Sequence, residues 1–434
     1  MLGIGRAGPL GRDQLPDGGG GPGRDRWSPG SDERDAWVVV AGVHGVGPVS
    51  FGRLVATFGS AVGVLRAASE PNAVGRLVAA STGGEGSPTL TGQAAAALVR
   101  GAADPQPFLA AVRRSGVSIV TLAEEAYPRR LRLVDLPPPV LFLTGDPGAL
   151  GRARAVAVVG TRRPTAIGRA TAGRIADAIA RGGATVVSGL AFGIDATAHV
   201  AAVRAGVPTV AVLGGGHEHL YPASHRGLAR DIVAGGGAVV SEFAPDSVPS
   251  RGTFPRRNRI ISGLADATVV VEAGSRSGSL TTAAWALEQG RGLFIVPGRL
   301  DDPAVAGSLS FLREAGPEAR VVAGIPELLV DLGLVGMTSE PGLAAGTPVD
   351  ACGETLPPAE ALVARALVAG IGNPDELALA TGLPGAAVLG LLTSLEVRGL
   401  ALEVFGRYRA AGALAPGAPA RPHRVRTGSG SRAA

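Results

Sequence analysis

Arginines and one aromatic residue lie close together at positions 251–259. Arg251 precedes the run Phe254-Pro255-Arg256-Arg257-Asn258-Arg259. Guanidinium groups form forked hydrogen bonds to phosphates, and an aromatic ring can stack on a base. This combination is typical of single-strand nucleic-acid binding and predicts such contacts in the segment. The alternative is a helix N-terminus with solvated arginines.

Two further loops have the composition of an anion site. Gly160 and Arg162 follow an apolar run, and a helical stretch opens near Gly168, where free amides could face a phosphate. Segment 272–279 combines small residues and hydroxyls at another helix start, which predicts an anion nest or an ordinary helix cap.

Acidic and histidine residues give weaker signals. Asp195 and His199 are four residues apart on one helical face, but no matching nucleophile is evident. The favoured interpretation is that Asp195 caps the helix and His199 is buried and hydrogen-bonded. Strand-like alternation would point His217 and His219 the same way, near His225. A closed zinc site needs more placed ligands, so a solvated loop is favoured and no metal is predicted.

The elements that position these loops alternate between strands and helices. Predicted strands are 155–159, 184–188, 209–213, 238–241, 268–272 and 293–296. Apolar strands separated by Ala-rich helices predict an α/β fold, a Rossmann-like doubly wound parallel sheet with sites beyond the carboxyl ends of its strands. The segments 160–168, 251–259 and 272–279, which follow the first, fourth and fifth predicted strands, then lie at one edge of the sheet. The Gly-x-Gly-x-x-Gly spacing is missing and Ser188-Gly189 replaces the ribose-binding acid, which disfavours NAD.

Composition shifts divide the rest of the chain. A turn at 41–48 between two amphipathic runs resembles a helix-hairpin-helix, and helix–turn–helix spacing returns after residue 358. The predicted regions are a disordered tail (1–35), a helical helix-hairpin-helix-like domain (36–103), a connector (104–150), a Rossmann-like DNA-binding domain (151–335), a linker (336–358), a winged-helix-like domain (359–410) and a disordered tail (411–434).

Charge and cysteine usage narrow the functional class. The net charge is +5, and all 41 basic residues are arginines, which allows an acidic partner and excludes a Walker A loop or a Schiff-base lysine. The single cysteine, Cys352, rules out a disulfide framework within the chain and is interpreted as a linker residue. No apolar run spans a bilayer and no signal-peptide core is seen, so a cytoplasmic protein is expected.

Taken together, these segments resemble the DprA/Smf family. The matching pieces are 158–162 (VVGTR), 188–195 (SGLAFGID) with Ala198-His199, 254–264 (FPRRNRIISGL), 271–273 (VEA) with 277–280 (SGSL), and 296–298 (VPG). The specific match runs from Tyr127-Pro128 to about Leu329, and looser similarity includes both helical modules. Departures are Thr161 for serine, His217-Glu218-His219, His225 for asparagine, and Leu309.

The resemblance implies a protein that binds incoming single-stranded DNA in natural transformation, protects it and helps load a RecA-type recombinase. It implies a homodimer through the Rossmann-like domain, and no catalytic role or cofactor. The DNA-binding residues it suggests are Gly160, Arg162, Arg163, Ser188, Gly189, Phe254, Arg256, Asn258, Arg259, Ser277, Gly278 and Ser279.

Two other functions stay open. A nucleotide-processing enzyme of the phosphoribohydrolase type would fit the glycine-rich loops, but the chain lacks its Pro-Gly-Gly-x-Gly-Thr segment. A duplex-DNA regulator would use the winged-helix-like module, yet the predicted recognition helix 385–397 is poor in basic residues. Within the family resemblance, a repair or recombination role is the alternative to transformation.

Overall fold

The computed structural model describes residues 31–83, 86–334, 356–404, 407–411 and 414, and it divides into two compact units, 1–328 and 329–434. Predictions for residues 1–30, for the linker segment 335–355 with Cys352, and for the tail after residue 414 lie outside the described residues.

The described elements follow in chain order. The helices are α1 Ser31–Gly42, α2 Pro48–Phe58, α3 Ala61–Ala68, α4 Ala73–Ala80, α5 Gly92–Ala103, α6 Gln106–Arg114, α7 Arg129–Arg132, α8 Ala166–Arg181, α9 Ile194–Arg204, α10 Arg226–Ala234, α11 Thr253–Gly263, α12 Ser279–Glu288, α13 Ala306–Ala315, α14 Ile325–Asp331, α15 Pro358–Val368, α16 Pro374–Thr381 and α17 Gly385–Val397. The strands are β1 Ser118–Thr121, β2 Val140–Gly145, β3 Ala155–Val159, β4 Thr185–Ser188, β5 Thr209–Val212, β6 Ala238–Ser241, β7 Ala267–Val270, β8 Gly292–Ile295, β9 Ala319–Val321, β10 Ala401–Val404 and β11 Arg407–Ala410.

The predicted doubly wound sheet is confirmed. Nine strands pair in the order β1-β2-β6-β5-β4-β3-β7-β8-β9, and β3 to β9 are parallel. Every residue of β3 is buried, as expected for a strand covered on both faces. The order reverses between β3 and β7, which is the switch point where such sheets usually bind ligands.

The segment predicted as a connector contributes to this sheet. Strand β2 pairs antiparallel with β6, and β1 with β2. Side chains alternate along β2: Leu141 and Leu143 join the core of the sheet, whereas Val140 and Phe142 join the core of the N-terminal helices. This strand therefore ties the two cores together.

The N-terminal helices α1–α6 share their own apolar core. Helix α1 begins at Ser31, before the predicted end of the tail at residue 35. The carboxylate of Glu33 explains the difference, because it accepts hydrogen bonds from Ala61 N (2.7 Å) and Val62 N (3.0 Å) and so caps α3.

The described residues of the second unit form the helices α15–α17 and the antiparallel hairpin β10–β11. Its core includes Leu377, Val388 and Leu392. Asn373 caps α16 by accepting from Asp375 N at 2.8 Å.

In the described parts of the chain, no single helix is long and apolar enough to cross a membrane. Two bent pairs, α2 with α3 and α16 with α17, pass that test together on length and composition alone.

Candidate nucleic-acid interface

A pocket opens at the carboxyl edge of strands β3, β4 and β5. It is formed by the loops that follow these three strands and by the first turns of α11, which follows β6. Its lining residues are Arg162, Gly189, Ala191, Phe192, Tyr221, Pro222, Phe254 and Arg257. Two of the segments predicted from the sequence to bind an anion, 160–168 and 251–259, therefore meet, but over β3–β5 rather than at the switch point between β3 and β7. The third predicted segment, 272–279, does not line the pocket.

Aromatic rings and a cation define this pocket. The Arg162 guanidinium lies over the Phe254 ring, with Cζ 5.3 Å from the ring centroid. Tyr221 meets the same ring edge-on, with centroids 5.8 Å apart. Tyr221 is 52% exposed and Phe192 is 44% exposed, which is unusual for large rings in a chain with only 4% aromatic residues.

A glycine gives the Phe254 ring its position. A β-carbon at Gly214, just after β5, would lie 2.6 Å from Phe254 Cδ1. Only glycine therefore lets the ring pack against the backbone of this loop. In the sequence, the triple glycine 214–216 marks the loop whose backbone the Phe254 ring approaches.

The loop 188–193 is held by two side chains from other elements. Arg257 Nη1 donates to Gly189 O at 2.7 Å and also to Val212 O, so it joins the ends of β4 and β5. His225 Nδ1 donates to Leu190 O at 2.8 Å. Leu190 has φ of +56°, a strained value for a residue with a β-carbon, so these bonds hold a loop that presents Phe192.

Arg257 is a buried cation beside a buried acid. Burial lowers the pKa of Arg257 to about 10. Burial likewise raises the pKa of Asp195, against the opposing effect of the nearby Arg257 charge. The Asp195 carboxylate accepts from Gly189 N at 3.1 Å, so it fixes the preceding loop instead of capping its own helix α9.

His199 is buried and hydrogen-bonded, as the favoured sequence interpretation had it. Its Nδ1 lies 2.9 Å from Thr209 Oγ1, whose hydroxyl donates to Val186 O. The ring must therefore donate from Nδ1. Burial, followed by the Arg257 charge, lowers the pKa of His199 to about 3, so the ring is neutral. Asp195 and His199 bind different partners and do not form a catalytic pair.

The arginine-rich segment is helix α11, and its predicted DNA contacts mostly face inward. Arg259 forms a two-pronged salt bridge to Glu242, at 2.8 and 2.7 Å, with side chains only 3% and 2% exposed. Asn258 donates to Gly278 O at 3.1 Å. Arg256, 39% exposed, keeps an accessible guanidinium. The prediction that Arg259 contacts DNA thus conflicts with its burial, because α11 packs on the sheet and α12.

At the start of α8, the Gly168 amide donates to Thr165 Oγ1 at 2.9 Å and is therefore not free for an anion. Glu272, after β7, accepts from Thr165 N at 2.9 Å and from Thr165 Oγ1 at 2.6 Å. A β-carbon at Gly168 would lie 2.1 Å from Glu272 Oε2. A carboxylate of the protein thus occupies the place where a nucleotide phosphate sits in dinucleotide-binding folds.

Several predicted site residues have structural partners. Ser188 Oγ donates to Val158 O at 2.7 Å, and Ser277 and Ser279 share a hydrogen bond of 2.7 Å away from the pocket lining. Gly160 packs against Ile194, where a β-carbon would lie 2.6 Å from Cγ1. Arg163 is exposed beside Arg162 but does not line the pocket.

The histidine loop folds as a 3₁₀ turn, His217–His219, so strand-like alternation does not apply. His217 Nε2 lies 3.0 Å from Val239 O, and burial lowers the His217 pKa. Within the described ranges, no group of three or more His, Cys, Asp or Glu side chains is placed to hold a metal ion.

Sequence reasoning missed Phe192, Tyr221, Arg257 and Glu272 as parts of the site or its support. The signal for the two rings was available, because each follows a predicted strand within a glycine-rich loop. The roles of Arg257 and Glu272 depend on contacts between distant segments, which spacing along one segment does not reveal.

Comparisons with known proteins agree with this architecture. The family described as DNA recombination-mediator protein A matches residues 118–333. DNA processing protein DprA of Bacillus subtilis is 42% identical over 206 residues, covering 48% of this chain and 69% of that protein. Protein Smf of Synechocystis is 35% identical over 308 residues, covering 70% and 74%. The X-ray structure of DNA processing protein A from Streptococcus pneumoniae matches with a TM-score of 0.56 and 26% identity, covering 68% and 97%.

The Synechocystis protein is matched over more than two thirds of both chains, and the family match covers the residues that form the parallel sheet. The chain belongs to the DprA/Smf family of DNA-processing proteins.

Proposed function

We propose that this protein binds single-stranded DNA in the pocket lined by Arg162, Phe192, Tyr221 and Phe254. The observation that carries the proposal is the Arg162 guanidinium over the Phe254 ring, 5.3 Å from its centroid, at the mouth of a strand-edge pocket. Arg162 supplies a phosphate contact and the rings supply stacking surfaces for bases, which is the combination that single-strand binding uses.

The exposed rings favour single strands over duplex. Phe192 and Tyr221 stand at the surface of loops, where an unpaired base can reach their faces. Bases in a duplex are stacked on one another, so a ring can reach them only after they are unstacked, which costs a few kcal/mol per step. Stacking tolerates any base, so little sequence preference is expected.

Family membership supports a role in DNA processing. We propose the more specific role that the family resemblance implies. The protein protects incoming single strands during transformation or recombination, and it passes them to a RecA-type recombinase. It acts as a homodimer through the Rossmann-like domain and has no catalytic activity.

The phosphoribohydrolase alternative has a specific obstacle. Glu272 binds the amide and the hydroxyl of Thr165, the N-cap residue of α8, where a nucleotide phosphate would be expected to bind. Release of free base from nucleoside monophosphates by the purified protein would contradict the non-enzymatic proposal.

The test is fluorescence anisotropy of a labelled dT20 oligonucleotide, competed with unlabelled single strand or with a 20-base-pair duplex. The proposal predicts that single strand competes at much lower concentration than duplex. Equal competition by the duplex would contradict it and would favour a site on the winged-helix-like module.

A further inference from the structure

A second opening lies on the other side of the α11 N-terminus. It is a cleft of about 660 Å³ between the glycine turn of the N-terminal helices and the helices α11 and α12. Both walls belong to the same compact unit. The lining of the cleft includes Gly47, Pro255, Arg256, Arg259, Thr281 and Trp285.

The cleft offers one partly exposed cation, Arg256, and one large ring, Trp285; the other arginine that lines it, Arg259, is buried and bound to Glu242. The Arg256 side chain is 39% exposed, with Nη2 3.3 Å from Glu242 Oε2 and Cζ 5.4 Å from the Phe243 ring centroid. It also reaches the turn before α2, where a β-carbon at Gly47 would lie 3.7 Å from Arg256 Nη2. Trp285, which is half-buried, and Thr281 project from α12 at one-turn spacing. Phosphate on the guanidinium and a base on the indole is again single-strand chemistry.

The cleft and the pocket are joined by consecutive residues. Phe254 lines the pocket, and Pro255 and Arg256 line the cleft. Positions two apart in an α-helix are about 3 Å apart along the axis and about 200° apart around it, so a strand that leaves the Phe254 ring must pass over the N-terminal turn of α11 to reach Arg256. One DNA strand can thus bind both openings without a break.

We propose that the cleft is a second nucleotide subsite on the same strand, with a phosphate on Arg256 and a base on Trp285. This inference rests on the proposed function, because the strand enters from the pocket. It assigns a DNA contact to the interface between the N-terminal helices and the sheet domain, and it gives Arg256 a role distinct from that of its buried neighbour Arg259.

The test is a length series of labelled oligonucleotides, dT4, dT8, dT12 and dT20, with wild type, Trp285→Ala, Trp285→Phe and Arg256→Gln. Loss of one stacked base lowers affinity roughly 5- to 100-fold, so Trp285→Ala should lose that much on dT12 and dT20 but not on dT4. Arg256→Gln should reduce the slope of log affinity against log salt by about 0.7 on long strands only. Trp285→Phe keeps a ring and should retain most of the affinity.

The outcomes separate this inference from the proposed function. Thermal unfolding checks that each variant is folded, and Trp37→Phe in the N-terminal core is the matched control for the aromatic change. If Trp285→Ala and Arg256→Gln bind every length like wild type while Arg162→Ala is weakened, the cleft is not a subsite but the pocket stands. Equal loss on dT4 and dT20 would also overturn the two-subsite arrangement. A wild-type protein that binds no length would contradict both.

Discussion

Arg162 lies in the loop after β3 and Phe254 in the first turn of α11, yet the Arg162 guanidinium lies 5.3 Å from the centroid of the Phe254 ring. Such a pair is a weak cation–π contact in the free protein, worth about 0.5–1 kcal/mol at an exposed site. Its larger consequence is geometric, because it places the guanidinium that we propose binds phosphate beside the ring that we propose stacks on a base.

Replacing each member of this pair should change binding in a different way. Arg162→Ala should weaken binding of dT20 and reduce the salt slope by about 0.7, because one phosphate contact is lost. Phe254→Ala should cost about 1–3 kcal/mol of binding free energy with the salt slope unchanged. Arg181→Ala, a solvent-exposed change at the opposite end of α8, is the control. An unchanged slope in Arg162→Ala would argue against phosphate contact.

Gly214 should matter only through Phe254. A methyl group at Gly214 overlaps the ring at 2.6 Å, so Gly214→Ala should displace Phe254 and weaken single-strand binding. In the double variant Gly214→Ala/Phe254→Ala, affinity should equal that of Phe254→Ala alone, since no ring remains to displace. Additive losses in anisotropy titrations would show that Gly214 acts by another route.

Arg259 and Arg256 should separate stability from binding. Arg259→Ala leaves Glu242 without its main partner in the core and should lower the free energy of unfolding by about 3–5 kcal/mol. Arg256→Ala should cost less than about 1 kcal/mol, because its 3.3 Å pair is half-exposed and Glu242 keeps Arg259. Urea unfolding measures both. Similar losses in the two variants would contradict the assignment.

The free energy of unfolding should fall in acid because the pKa of His199 is lowered in the folded protein. Its pKa is about 3 in the folded protein and 6.5 when exposed. Between these values the unfolded chain binds a proton that the folded protein excludes, so stability is complete above pH 6.5 and is lost as pH falls, by about 1.4 kcal/mol per pH unit.

The His199→Asn variant isolates this contribution, since Asp195 and His217 titrate in both proteins. Plots of unfolding free energy against pH should be less steep for His199→Asn than for wild type between pH 6 and 4. Parallel plots would mean that His199 is protonated in the folded state.

The sheet was predictable because its strands are continuous apolar runs between Ala-rich helices, and the predicted bounds of β3 and β6 match the structure. The pairing of β1 and β2 at the antiparallel edge was not predictable, because a short apolar run at Val140 in a proline-rich connector does not show which strand it pairs with. Partner choice there depends on β6, which is distant in sequence.

The site was predictable as a set of loops but not as a set of contacts. Exposed Arg162 and partly exposed Phe254 line the pocket as expected. Arg259 shows the limit: an arginine beside other arginines suggests a phosphate site, and only the fold reveals the Glu242 carboxylate that neutralises it. Glu272 shows the same limit. The loop after β3 suggests a bound phosphate near Gly168, but the Glu272 carboxylate, which follows β7, binds Thr165 there instead.

The most direct test of where DNA binds is photocrosslinking. A dT20 oligonucleotide with 5-iodouracil at successive positions would be irradiated with the full-length protein, and adducts would be mapped by mass spectrometry. Adducts are expected at Phe254 and Tyr221, and they should be lost in Arg162→Ala at moderate salt. Adducts confined to residues 358–410, with none at the edge of the parallel sheet, would contradict it.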